Sequence, residues 1–207
     1  MWVKVCGLRD SESVAAAVEA GADAVGFVFA PGSPREIDPD RARSLVGSAS
    51  GTLTVGVFRD QPVDEVIRIA REAGVDAVQL HGSETVADHE AVRAAGWPTI
   101  RAMAARDYVG AGSGSGSGSV DGDGHPAEYL LLDAPNPGAG EVFDGAQLAA
   151  RPPSRPWVLA GGLDPGNVAQ RIRELRPWGV DVSSGVETAP GVKSPALIAR
   201  FVAAARG

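Results

Sequence analysis

Few residues in this sequence combine reactive types with positions that could bring them together. Cys6 is the only thiol among 207 residues, and Gly7 follows it. If residues 2–6 form a strand, Lys4 and Cys6 share one face while Val3 and Val5 share the other. An ammonium on the same face would favour a thiolate. The alternative is that Cys6 is simply a small buried apolar residue, a common fate for free cysteine. Asp133 closes the apolar run at 129–132 and precedes Ala134 and Pro135. It is either a turn or helix-capping residue, or a carboxyl in a pocket where desolvation raises its pKa and makes it an acid. Cys6 and Asp133 together would supply a base and an acid.

Two glycine-rich stretches lie late in the chain, AGGLDPGNV at 160–168 and SSGVETAPG at 183–191. Gly161, Gly162 and Gly185 would let backbone N–H groups approach an anion, and Ser183 and Ser184 add hydroxyl donors. Either stretch alone reads equally well as a turn. Arg35, in GSPR at 32–35, is either a solvated surface residue or a planar clamp for a carboxylate. Of the three histidines, His89 falls in a helical pattern and His125 ends a glycine-rich run. Only His81 is placed to join a site, so a multi-histidine metal centre is not expected.

These residues need a scaffold that collects strand ends. The chain alternates short β-rich runs with helical patterns. Strands are expected at 2–6, 24–29, 53–58, 77–81, 99–102, 129–133, 157–160 and 179–183. Helices are expected at 11–20, 38–46, 62–73, 83–95, 143–150, 165–175 and 194–205. AGADAVGF at 20–27 is echoed by AGVDAVQL at 73–80, and GVDVS at 179–183 reads as a third partial copy. Eight units of roughly 26 residues suit a single-domain (β/α)₈ barrel over 1–207. An open doubly wound sheet is the structural rival, but no GxGxxG follows the first strand. The segment 110–124 contains GSGSGSGS and lacks an apolar face, so it reads as a flexible insert. Helix five should then be reduced to a stub near 104–109, or be missing. In a parallel barrel the reactive ends face one mouth. There strand parity gathers Lys4 and Cys6, Gln79 and His81, Arg101, Asp133, and Asp181 with Ser183.

Composition narrows the partners. The net charge of −7 argues against a nucleic-acid surface, while a few amides can still hold one phosphate. No apolar run approaches the ~18 residues of a membrane span, and the N-terminus is unlike a signal peptide. A cytoplasmic protein with a small phosphorylated substrate, no nucleic acid and no membrane is expected, as a monomer rather than a dimer.

Several segments together resemble the phosphoribosylanthranilate isomerase family. They are VKVCGL (3–8), GADAVGFVF (21–29), SPR (33–35), VGVF (55–58), VQLHG (78–82), LLD (131–133), AGGL (160–163), VDVSSGVE (180–187) and PGVK (190–193). The resemblance implies a TIM barrel and a cofactor-free Amadori rearrangement. N-(5-phosphoribosyl)anthranilate would become 1-(2-carboxyphenylamino)-1-deoxyribulose 5-phosphate, the third committed step from chorismate to tryptophan. It also implies roles for individual residues. Asp133 would open the furanose ring as general acid, and Cys6 would take the C2 proton. Arg35 would bind the anthranilate carboxylate, Asp181 would sit near the amine, and Gly161, Gly162, Ser184 and Gly185 would hold phosphate. Two departures stand out. GAGEVFDG at 138–145 lacks the family's basic residue and tryptophan, and Arg101 stands where lysine is frequent. The rivals are a broader aminoaldose isomerase, a metal-dependent epimerase and a phosphate-binding protein without turnover.

Overall fold

The computed structural model describes residues 1–111, 125–133, 145–150 and 152–207. The insert expected at 110–124 lies outside them from residue 112 on, as do the segment 138–144 and the helical start expected at 143. Eight parallel strands close into a barrel in sequence order: β1 (Trp2–Cys6), β2 (Ala24–Val28), β3 (Leu53–Phe58), β4 (Ala77–Leu80), β5 (Thr99–Ala104), β6 (Tyr129–Asp133), β7 (Trp157–Ala160) and β8 (Gly179–Val182). The connecting helices are α1 (Ser11–Glu19), α2 (Pro39–Ser48), α3 (Val63–Ala73), α4 (Val86–Ala94), α5 (Ala105–Ala111), α6 (Gly145–Ala150), α7 (Val168–Leu175) and α8 (Pro195–Arg206). The expected barrel and the shortened fifth helix are both present. A hairpin, β9 (Glu187–Ala189) with β10 (Val192–Lys193), follows β8.

Strand parity divides the core. Val3, Val5, Val25, Phe27, Phe58, Val78, Leu80, Leu130, Leu132, Val180 and Val182 face the helices. The barrel interior takes smaller residues, among them Ala24, Val55, Val57, Ala77, Ala102, Val158 and Ala160. At the N-terminal end the Trp178 ring stacks against Trp2 at 5.2 Å and Tyr129 at 5.0 Å. These rings floor the barrel and leave the other end as the mouth.

Local chemistry moves two helix starts away from their expected positions. Ser83 gives both its amide and its hydroxyl to Asp60 Oδ1, which ties it to the loop after β3. Thr85 caps α4 instead, in a reciprocal box with Asp88. Asp164 does not cap α7. Its Oδ1 accepts from the amides of Gly166 and Asn167, and this turn delays the helix to Val168.

The repeated aspartates have a shared task. Asp23 Oδ2 accepts from the amide of Val3 at 2.8 Å, and Asp76 Oδ2 accepts from the amide and hydroxyl of Thr54 at 2.9 and 2.7 Å. Glu128 does the same for the amide of Thr99 at 2.7 Å. Each acid precedes an even strand and pins the start of the odd strand before it. The supposed third copy differs: Asp181 lies within β8, in register with Lys4 of β1.

Asp76→Ala leaves the Thr54 amide without its carboxylate, so stability should fall by about 1–3 kcal/mol, read from denaturant midpoints. Turnover of the folded fraction should be retained. A second prediction concerns the edge-on rings of His89 and His125, 4.8 Å apart. Burial, aided for each by neighbouring positive charge including Arg101, lowers both pKa values to about 4. The unfolded chain therefore binds more protons between about pH 6.5 and 4. Stability should be lost as pH falls through that window, and His125→Asn should flatten the dependence of the melting midpoint on pH.

Candidate active site

The mouth opens into a cavity of about 1180 Å³. Cys6, Arg35, Gln79, His81, Asp133, Gly161, Gly162, Asp181, Ser183 and Ser184 all line it. Residues from six of the strand ends or the loops after them thus meet in one space.

Beneath Cys6 lies an ion pair inside the barrel. Lys4 Nζ is 3.1 Å from Asp181 Oδ1, and Lys4 is fully buried. Burial alone would lower the Lys4 ammonium, but Asp181 and Cys6 hold it above its ordinary value. Lys4 does not line the cavity, which corrects its expected role as a substrate contact. It sits beneath the cavity floor, bonded to Asp181. Gly26, in register with Cys6, makes room for the thiol: a Cβ there would fall 2.8 Å from Sγ. Burial pushes the Cys6 thiol up, with the Lys4 ammonium pulling it back only in part. These surroundings favour the thiol, where the sequence suggested a thiolate.

Across the mouth, Asp133 ends β6 with its side chain partly exposed. His81 Nε2 is 3.5 Å from Asp133 Oδ2, and His81 Nδ1 is 3.2 Å from Gln79 Nε2. An amide N–H of Gln79 directed at Nδ1 leaves the ring proton on Nε2, facing Asp133. Gln79 is buried, and its Oε1 is the one buried side-chain oxygen or nitrogen without a partner among the described residues.

The late loops form the remaining wall. Gly161 and Gly162 have φ of 87° and 61°, in the left-handed region open to glycine. Asn167 Nδ2 donates to the Gly162 carbonyl at 2.8 Å and fixes this loop. Ser184 opens a single 3₁₀ turn, Ser184–Val186, after β8. Gly185 is packed so closely beneath Leu163 that any Cβ would overlap its carbonyl oxygen. Gly185 is not on the cavity surface, so it shapes the wall from behind. The Ser183 hydroxyl donates to the Cys6 carbonyl at 3.1 Å, so its proton is committed to β1 rather than to a ligand.

One expected residue is elsewhere. Thr99 and Arg101 share a parity, and Thr99 Oγ1 is 3.1 Å from His89 Nδ1 on α4. That parity faces the helices, while Ile100 and Ala102 face inward. Arg101 is thus outside the barrel wall, beside the two histidines whose charged forms it opposes, and not at the mouth. Sequence reasoning also assigned nothing to Glu187 and Lys193. Glu187 accepts from Arg35 Nε at 2.7 Å and Nη2 at 2.8 Å, and from Lys193 Nζ at 2.7 Å. Their signal was that both close segments of the family resemblance, VDVSSGVE and PGVK, without a role attached to either charge. Among the described residues no cluster of three His, Cys, Asp or Glu is arranged to hold a metal ion, and no helix is long and apolar enough to cross a membrane.

Comparison with known proteins gives a consistent result. The family pattern of N-(5'-phosphoribosyl)anthranilate (PRA) isomerase matches residues 3–204. The N-(5'-phosphoribosyl)anthranilate isomerase of Desulforudis audaxviator is 44% identical over 209 residues, covering 99% of this chain and 97% of the relative. The crystal structure of TrpF from Jonesia denitrificans superposes with a TM-score of 0.85 at 44% identity, covering 100% of this chain and 97% of the other. A phosphoribosyl anthranilate isomerase solved with reduced 1-(o-carboxyphenylamino)-1-deoxyribulose 5-phosphate gives 0.82 at 32% identity, covering 100% and 99%.

The thiol assignment can be read directly, because Cys6 is the only cysteine. Thiolate absorbance, or the rate of iodoacetamide alkylation, should titrate above the ordinary thiol range near pH 8.5. Lys4→Met should move that midpoint higher still. A midpoint well below the ordinary value would restore the preformed thiolate.

Proposed function

Because this chain belongs to the N-(5'-phosphoribosyl)anthranilate isomerase family, we propose that Cys6 and Asp133 divide its reaction as general base and general acid. The enzyme converts N-(5-phosphoribosyl)anthranilate to 1-(2-carboxyphenylamino)-1-deoxyribulose 5-phosphate in tryptophan biosynthesis. The supporting observation is that the two groups line one cavity from separate strands, β1 and β6, each with its own polar support.

The acid comes first. Asp133 gives a proton to the ribose ring oxygen, the C1–O bond breaks, and the nitrogen lone pair forms an iminium at C1. The cationic iminium acidifies the C2 proton and also favours an anion beside it. With Lys4 below and the iminium above, the Cys6 thiol gives its proton to solvent at the open mouth, and the thiolate so formed takes the one from C2. The resulting enolamine gains a proton at C1 and loses one from the C2 hydroxyl, giving the ketone. One acid and one base suffice for these proton transfers.

The remaining groups bind and orient. Arg35 takes the anthranilate carboxylate. The amides of Gly161 and Gly162, with Ser184, take the phosphate. Asp181 faces the amine. His81 steadies the Asp133 carboxyl.

A Thermotoga maritima relative with a TM-score of 0.83 is described as dimeric and was solved as generated monomers. A phosphorylated substrate does not cross a membrane unaided, which supports a cytoplasmic location.

The test is turnover on chelator-treated protein, following loss of substrate fluorescence. Turnover should survive the chelator. Cys6→Ala and Asp133→Asn should each lower kcat by about 10²–10⁴-fold, with a smaller change in KM. Near-normal turnover of Cys6→Ala would overturn the base assignment.

A further inference from the structure

Arg35 is held by a carboxylate that does not face the cavity. Glu187 receives the Nε–Nη2 edge of the guanidinium in two parallel bonds of 2.7 and 2.8 Å. Among the described residues Nη1 makes no hydrogen bond. A planar guanidinium has a second edge, Nη1–Nη2, and this one remains for a ligand. Arg35 lines the cavity, whereas Glu187 and Lys193 do not.

The support is rigid. Glu187 and Lys193 are register partners in the β9–β10 hairpin, and their side chains are 5% and 1% exposed. Lys193 Nζ also donates to the Ser183 carbonyl at 2.9 Å. On its other side the Arg35 stem crosses Gly7, whose φ is 80° and where a Cβ would fall 2.6 Å from Arg35 Cδ. At the hairpin turn Gly191 packs against the Pro34 carbonyl, which a Cβ would approach to 2.3 Å. The arginine is therefore threaded between β1 and the hairpin.

Charge explains the third member. A carboxylate alone on Arg35 would cancel the attraction of the guanidinium for an anion. Lys193 offsets that carboxylate, so two cations and one anion leave a net positive charge directed at the mouth.

We propose that Glu187 is a positioning residue for substrate recognition, which with Lys193 holds Arg35 so that its Nη1–Nη2 edge meets the anthranilate carboxylate. The inference rests on the reading of Arg35 as the carboxylate clamp.

The test compares two substrates that differ only in that carboxylate, N-(5-phosphoribosyl)anthranilate and N-(5-phosphoribosyl)aniline. The readout is the ratio of their kcat/KM values. Arg35→Met should collapse the ratio towards one. Glu187→Gln should lower it by about tenfold, mainly through KM for the anthranilate compound, as expected for a misaligned charged contact. Glu187→Asp keeps the charge beside Lys193 but is too short for the fork. It should give a smaller fall in the same ratio, and serves if Glu187→Gln does not fold. A folded Glu187 variant that keeps the wild-type ratio, even with lower overall activity, overturns the inference. If Arg35→Met keeps the ratio too, the clamp reading itself is wrong. If Arg35→Met alone collapses it, only the role of Glu187 fails.

Discussion

The site depends on one ion pair, Lys4 with Asp181, placed where the last strand meets the first. Burying two charges inside a barrel costs several kcal/mol per ion unless they are paired closely. Here the two residues are neighbours in register, so barrel closure itself creates the pairing. Cys6 lies two residues further along the same face and shares the cavity with Asp181. Forming the barrel seam and preparing the base are thus the same event. Loss of either charge would leave the other buried alone directly beneath the reacting thiol.

The two ends of the barrel are built differently. The floor is stacked aromatic rings, and the middle is small aliphatic residues that fill space without directing anything. Polar side chains enter only as the strands approach the mouth, and most have a partner beneath or behind them. Gln79 supports His81, Asn167 supports the glycine loop, and Ser183 ties β8 to β1. This support on rigid elements is what separates a defined geometry from a loose set of reactive groups.

Much of this was legible in the sequence because parallel strands impose a two-residue period that side chains must obey. Parity placed Lys4, Cys6, Gln79, His81, Asp133 and Asp181 inside the barrel correctly. It failed for Arg101 because β5 turns apolar Ile100 and Ala102 inward and Thr99 and Arg101 towards the helices, the reverse of the polar-inward pattern of its neighbours. The raised thiol of Cys6 was also hidden. A sequence shows that Lys4 is near, but not how completely both groups lose water. Glu187 was invisible as a partner of Arg35 because the two are 152 residues apart, and the hairpin between β8 and α8 carries little periodicity. Helix starts shifted where side chains had stronger local partners, as Ser83 did with Asp60.

The acids before the even strands give the barrel a hidden grain. Asp23, Asp76 and Glu128 each tie one odd strand to the segment entering the next even strand. In three of the four strand pairs this tie repeats every two strands rather than every one. The fourth unit, β7 with β8, replaces the acid with Trp178, whose amide donates to the Trp157 carbonyl and whose ring joins the floor. The glycine–serine run lies between the two strands of the third unit, and Glu128 comes just after it. Where the chain returns from that run, Glu128 anchors it to the start of β5 just before the five-residue ladder of β5 with β6 begins.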